Sequence, residues 1–381
     1  MKILFVIDKM KNFAGIERIL TCKMNYIASQ TSHEVSLMTY EQQGHPIPFP
    51  LDRTISHLPL DIMMPQRSEM TLVQWLKAYV NARRRFRYQF MSLLKKNHPD
   101  IVISTVYSYQ VLDIVINTCY RQGIKTIMES HTQGETTTLS YKFKYNKCLF
   151  RFFSLWDKHI MRSLKHCNSV VTLTKHDISF WQKYTNRTEV IPNMLTIIPK
   201  KVIDYEVKRV ISAGRYMSEK GFDMLLEAWH LLPKDFHDWH LYIFGNGNRS
   251  AYQKIVDKYM MEGYVHLMPA TDDIAEEFSK SSLYVMSSRY EGFGLVLAEA
   301  MSCGLPCISF DSPYGPREII KDKEDGLLAK YKNIEDLAQK MVLLMSDAEL
   351  RRKMGECAIK NIARYEPQTI MNQWINLFET L

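Results

Sequence analysis

A chain of 381 residues is long enough for two ordinary domains and too long for one comfortable hydrophobic core. Apolar residues make up 46% and charged residues 24%, a globular balance that excludes disordered, collagen-like and low-complexity chains. The formal charge of +8 is unevenly spread: residues 1–200 hold 27 Lys and Arg against 14 Asp and Glu, whereas 201–381 hold 22 against 27. A basic half joined to a mildly acidic half points to two lobes with different partners. No apolar stretch approaches the ~20 residues that span a bilayer. The opening LFVI is too short for a signal-peptide core, and Asp8 and Lys9 follow it. Seven cysteines form no CxxC pair, so neither a disulfide framework nor a zinc site is expected, and the chain reads as cytoplasmic.

Short apolar runs alternate with longer helical patterns. In the first half strands are predicted at 2–7, 34–39, 101–104, 126–129, 169–172 and 189–192, with helices at 15–30 and 71–96. After a polar passage at 200–206 the pattern restarts. Strands are predicted at 209–213, 240–244, 265–268, 282–287 and 306–310, and helices at 221–232, 249–261, 274–280, 295–302 and 334–345. A last helix, 368–381, follows Pro367 and can complete either lobe. Repeated β-α-β units give parallel sheets with helices on both faces. The fold class is therefore α/β, with one Rossmann-like lobe over 1–200 and a second over 201–367, and a ligand cleft where strand C-termini converge.

The chemistry concentrates in residues 282–311, SLYVMSSRYEGFGLVLAEAMSCGLPCISFD. A buried strand runs into a Gly-bearing loop and then a helix ended by Gly304 and Pro306. Gly292 and Gly294 allow a ligand close to the backbone, and the free N–H groups at the helix start favour an anion. Glu291 lies just before that start. Glu299 follows Leu295 by one turn, where a carboxylate can accept from paired sugar or ribose hydroxyls.

This segment resembles the hallmark of glycosyltransferase family 4, retaining nucleotide-sugar-dependent enzymes of GT-B fold that include transferases of capsule, lipopolysaccharide and exopolysaccharide. The resemblance rests on E-G-F-G-x-x-x-x-E at 291–299, on AMSCGLPCIS at 300–309, and on YGPREIIKDKEDGLL at 314–328. A second block, VISAGRYMSEKGFDMLLEAWHLL at 210–232, is similar to the family's strand followed by G-R-x-x-x-x-K-G. The resemblance implies a nucleotide-sugar donor, read as a UDP-sugar, and a glycan or lipid-linked glycan acceptor. It implies that Glu299 holds the ribose and that Arg215 and Lys220, beside Gly214, stabilise the departing diphosphate. Glu291 and the backbone of Gly292, Phe293, Gly294 and Leu295 then orient the donor sugar. KNFAGIERIL at 11–20 resembles the family's G-G-x-E-R loop, with Ala14 in place of the first glycine and Gly15 near the donor phosphates; Glu17 and Arg18 read as helix-start and packing residues. IMESHT at 127–132 resembles the strand-end histidine beside the donor sugar, so His131 contributes from the first lobe. Asn193 stands where the family often carries Asn-Gly, with Met194 replacing that glycine.

No two aspartates lie two positions apart, so the Asp-x-Asp pair that holds a divalent ion in many sugar transferases is missing, and a metal-independent reaction is expected with no cofactor. FGNGNRS at 244–250 imitates a dinucleotide fingerprint, but its third glycine is Ser250, which counts against an NAD-dependent oxidoreductase. Residues 81–96 and 141–153 interleave cations with aromatics, a pattern suited to peripheral attachment at an anionic membrane, at the inner face of the cytoplasmic membrane. The alternative is a basic helix whose aromatics face the core. Nucleic acid is not expected, since no recognised module accompanies the charge. The competing class is a non-enzymatic protein that binds a membrane or nucleic acid through the basic lobe.

Overall fold

The computed structural model describes residues 1–66, 70–138, 140–143, 147–199 and 201–381. Two compact units emerge: residues 1–192 with 370–381, and residues 193–369.

The first unit is built on seven parallel strands. These are β1 (Lys2–Ile7), β2 (Glu34–Thr39), β3 (Ser56–Pro59), β4 (Ile101–Thr105), β5 (Lys125–Glu129), β6 (Ser169–Thr172) and β7 (Thr188–Val190), in the order β3-β2-β1-β4-β5-β6-β7. The central β1, KILFVI, is an unbroken apolar run because helices cover both faces of the sheet; Ile3 to Ile7 are all buried. Helix Gly15–Gln30 returns the chain from β1, and helix Leu72–Asn97 opens on a Thr71–Gln74 capping box. The C-terminal helix Pro367–Glu379 buries Met371, Trp374, Leu377 and Phe378.

The second unit carries six parallel strands: β8 (Arg209–Ala213), β9 (His240–Phe244), β10 (Val265–Met268), β11 (Leu283–Met286), β12 (Cys307–Phe310) and β13 (Gly326–Ala329), ordered β10-β9-β8-β11-β12-β13. In each sheet the chain first winds one way and then reverses. The reversal lies between β1 and β4 in one and between β8 and β11 in the other, and such switch points are where ligands bind in doubly wound sheets.

Several differences from the sequence reading have local causes. Strand β3, SHLP, lies at a sheet edge and is half-exposed, so it lacks the apolar signal of a central strand. Strand β13, GLLA, is too short to stand out. Helices Leu112–Arg121, Lys147–Arg162 and Ala348–Ile362 were not predicted. The division falls at 192/193 and not at 200/201, because 193–199 already packs within the second unit. The Leu195 N–H donates to the Tyr365 carbonyl at 2.9 Å, and Met194 is buried. Lys200, in the passage read as the boundary, lies outside the described residues. Among the described residues six cysteines are free thiols, and no helix is long and apolar enough to cross a membrane.

Candidate functional site

The second unit's switch point gathers most of the residues singled out from sequence. Strand β8 runs into Gly214, whose amide donates to the Phe244 carbonyl at 2.9 Å. A Cβ on Gly214 would meet the Lys220 side chain at 3.1 Å, so the small residue makes room for the lysine stem. Gly221 then turns the chain into helix Phe222–His230 in a left-handed conformation, φ 63°, that suits glycine. This loop is stitched to the end of β11. The Ser287 hydroxyl donates to the Lys220 carbonyl at 3.0 Å, and the Arg289 amide to the Glu219 carbonyl at 2.7 Å. The Arg289 guanidinium grips Asp223 through both nitrogens.

These contacts set Lys220 against Glu291, Nζ to Oε1 at 2.7 Å, while Ser288 donates to the same oxygen at 2.6 Å. Two residues assigned to different parts of a donor are thus ion-paired with each other. Arg215 is exposed and forms no ion pair among the described residues, so it carries the free positive charge of the group. Helix Leu295–Ser302 starts from Gly294, left-handed at φ 97°, with no side chain capping its first turn. Phe293 is buried edge-on against Tyr365, 5.2 Å between ring centroids, which fixes the loop before that helix start. Uncapped N–H groups, one free guanidinium and one lysine make this end of the sheet receptive to an anion.

Glu299 is fully buried, and the Thr196 hydroxyl donates to its Oε1 at 2.5 Å. The predicted ribose ligand is therefore covered by the 193–199 segment. Nothing in the sequence ties Thr196 to a residue 103 positions away. Gly245 and Gly247, the imitation fingerprint, have a packing role. A Cβ on Gly245 would sit 1.9 Å from the Gly214 carbonyl oxygen, and Gly247 bridges Tyr216.

In the first unit, Ala14 has φ −135°, extended backbone open to any residue, so its replacement of glycine costs the loop nothing. Gly15 is exposed at the first position of its helix, and Glu17 is buried, accepting from Asn12 at 3.1 Å. Asp8 follows the end of β1, and in the sequence it reads only as a charge. Burial pushes its carboxyl up to about 6, with Glu41 and Glu17 adding to the rise and Lys9 opposing it. His131 lies two residues beyond β5, nearly buried, with Nε2 3.4 Å from Glu129 Oε1. Glu129 in turn pairs with the buried Lys23.

The basic-aromatic stretch of helix Leu72–Asn97 divides its residues. Phe86 and Phe90 face the core, as the alternative reading expected, whereas Arg84, Arg85, Arg87 and Tyr88 are exposed. Trp75 and Tyr79 meet Phe153 and Trp156 of helix Lys147–Arg162, which exposes Phe150 and Leu155 beside Arg151 and Lys158. Residues 144–146 of the second stretch lie outside the described residues.

Residues 194–361 match the family Glycosyl transferases group 1. An uncharacterized glycosyltransferase of Haemophilus influenzae is 34% identical over 212 residues, 55% of this chain and 60% of that protein. The amylovoran biosynthesis glycosyltransferase AmsD of Erwinia amylovora is 26% identical over 98% of both chains. Among solved structures, a mutant of S. aureus TarM in complex with fondaparinux, alpha-GlcNAc-glycerol and UDP aligns with a TM-score of 0.77 and 16% identity, covering 99% of each chain. That likeness shows the GT-B fold: two Rossmann-like lobes with parallel sheets.

Proposed function

We propose that this chain, whose residues 194–361 carry a group 1 glycosyl transferase domain, moves a sugar from a nucleotide donor to a glycan or lipid-linked glycan acceptor in surface polysaccharide synthesis. We read the donor as a UDP-sugar, the anomeric outcome as retention, and the reaction as family 4 in type, without a metal. One observation carries the reading: Arg215, the Lys220–Glu291 pair and the uncapped start of helix Leu295–Ser302 meet at one sheet's switch point. The matched AmsD is named for amylovoran biosynthesis, and the TarM complex holds UDP.

The chemistry follows from charge. Breaking the bond between sugar and nucleotide leaves a diphosphate that gains negative charge as it departs. Fixed cations and amide dipoles aimed at that charge lower the barrier, and no reorganisation is then needed at the moment of reaction. Arg215 supplies a cation already free, and Lys220 one that Glu291 holds in place until phosphate competes for it. Glu291, released towards the sugar, accepts from its hydroxyls, with the Phe293–Leu295 backbone beside it. The Thr196 hydroxyl on Glu299 occupies a position that a ribose hydroxyl would take, so donor binding exchanges one hydroxyl for another. His131 is assigned to the donor sugar and Gly15 to the donor phosphates. No protein base is required, because the leaving phosphate can take the acceptor proton when attack comes from the same face.

Exposed Arg84, Arg85, Arg87 and Tyr88 with Phe150, Arg151, Leu155 and Lys158 support peripheral attachment to an anionic membrane, on its cytoplasmic side. Incubation with UDP-glucose, UDP-galactose and UDP-N-acetylglucosamine in EDTA, reading UDP release, tests the donor class. At least one should be consumed, and Lys220→Met should lower release by about 10²–10³-fold. Consumption of none, or full activity in the variant, would refute the reading. NMR of the product anomer tests retention.

A further inference from the structure

At the C-terminal end of β5 three charged or chargeable side chains are buried together. Lys23, on helix Gly15–Gln30, is 3% exposed, Glu129 is 1% exposed, and the His131 side chain is 4% exposed. A single oxygen, Glu129 Oε1, serves both neighbours: it pairs with Lys23 Nζ and lies 3.4 Å from His131 Nε2. Lys23 Nζ also stands 3.9 Å over the ring of Trp374, a fully buried residue of the C-terminal helix. Among the described residues, His131 Nε2 has no hydrogen-bond partner and is closed to solvent.

A buried ion pair is a poor device for stability alone, since apolar residues of similar volume serve as well or better. Its use here lies in what it does to the third member. Lys23 Nζ seated on Glu129 Oε1 in a buried pair favours the ionised carboxylate, so the oxygen facing the imidazole is an anion. A neutral imidazole carries one proton and one lone pair, and its surroundings decide which nitrogen holds which. A lone pair on Nε2 would face a carboxylate across 3.4 Å, whereas an N–H there is attracted to it.

We propose that the Lys23–Glu129 pair, covered by Trp374, is a positioning device that keeps the His131 proton on Nε2 and leaves Nδ1 as an acceptor for a ligand hydroxyl. The proposal rests on the reading of His131 as a donor-sugar residue. It makes Lys23 and Glu129 positioning residues, and it gives the C-terminal helix a part in the first unit's site.

The test is histidine nitrogen NMR on the full chain, labelled with ¹⁵N-histidine at pH 8, with His131 assigned through His131→Gln. The wild type should show the proton on Nε2 and a bare Nδ1. Lys23→Met with Glu129→Leu removes both charges together, so neither is left buried alone. In that double variant the preference should vanish into a mixture of tautomers. A bare Nε2 in the wild type, or protons on both nitrogens, overturns the proposal without any variant. An unchanged tautomer in the folded double variant overturns the role of the pair. Addition of UDP-glucose, at a level that raises the melting temperature, reads the underlying placement separately. Shifts at His131 support its donor-site role. Fixed His131 resonances remove that role, and with it the ligand-facing half of the proposal, while the measured tautomer stands.

Discussion

Replacing Gly221 by Ala probes the joint that holds the candidate site together. Two costs add. The left-handed backbone at φ 63° penalises any residue with a Cβ by about 1–2 kcal/mol. The new methyl would also lie 2.1 Å from the Ser287 carbonyl oxygen, a backbone atom that cannot swing aside as the nearby Met224 side chain can. Relief requires the 218–221 loop to move away from β11. That movement stretches the Ser287–Lys220 hydrogen bond and withdraws Lys220 from Glu291. With the dihedral cost alone at 1–2 kcal/mol and the clash above it, we expect a loss of at least about 2 kcal/mol. For a unit of this size that is a fall of roughly 4–8 °C in melting temperature. Gly263→Ala in the same unit is the control, because its Cβ meets nothing within 4 Å and its φ is not left-handed. Differential scanning fluorimetry with and without UDP reads both consequences. Gly221→Ala should melt earlier and respond less to UDP, and Gly263→Ala should match wild type. A Gly221→Ala protein within about 1 °C of wild type, with its UDP response intact, would refute the claim that this approach fixes the site.

Three further expectations concern charge. His240 Nδ1 and His266 Nε2 lie 3.0 Å apart, and burial, then His240 and Arg209, push the His266 imidazole below its ordinary value. The contribution is therefore present above the ordinary histidine value, about 6.5, and lost as pH falls through the lower folded value; His266→Phe should flatten that acid limb in melts between pH 5 and 8. Neutralising Arg84, Arg85 and Arg87 to Gln should reduce co-sedimentation with phosphatidylglycerol vesicles at low salt, and equal pelleting would count against membrane attachment. Thr196→Val removes the hydroxyl on Glu299; we expect a stability loss of about 1–3 kcal/mol as the buried carboxyl loses a donor, visible in urea melts, and an unchanged midpoint would mean that Thr196 does not hold Glu299.

Much of the second unit was legible because its signals are local. The 295–302 helix, the glycine loop before it and the β8 loop each lie within a few residues of their own punctuation, and they appear where spacing placed them. The pairing of Lys220 with Glu291 was not legible, because a hydrogen bond across 71 positions depends on how two βα loops converge. Thr196 over Glu299 and Lys23 beneath Glu129 escaped for the same reason. Lys23 did leave a trace: its neighbours Leu20, Met24 and Ile27 occupy the buried face of the helix, so a lysine among them has to find a buried partner. The Arg84 to Tyr88 stretch of helix Leu72–Asn97 shows the converse limit. Alternation of cations and rings could not say that Phe86 and Phe90 turn inward while Tyr88 turns out, since that depends on which side of the helix meets the sheet.

The central claim is that the second unit's switch point holds a nucleoside diphosphate through Arg215, and thermal shift tests it most directly. Arg215 is exposed and unpaired among the described residues, so Arg215→Met should leave the melt of the free protein unchanged. A nucleotide at 100 times its dissociation constant adds about 2.7 kcal/mol. The account predicts that UDP, compared with GDP, ADP and NAD in EDTA, stabilises the wild type and stabilises Arg215→Met less. Stabilisation by none of the four, or an equal response in wild type and variant, would contradict it.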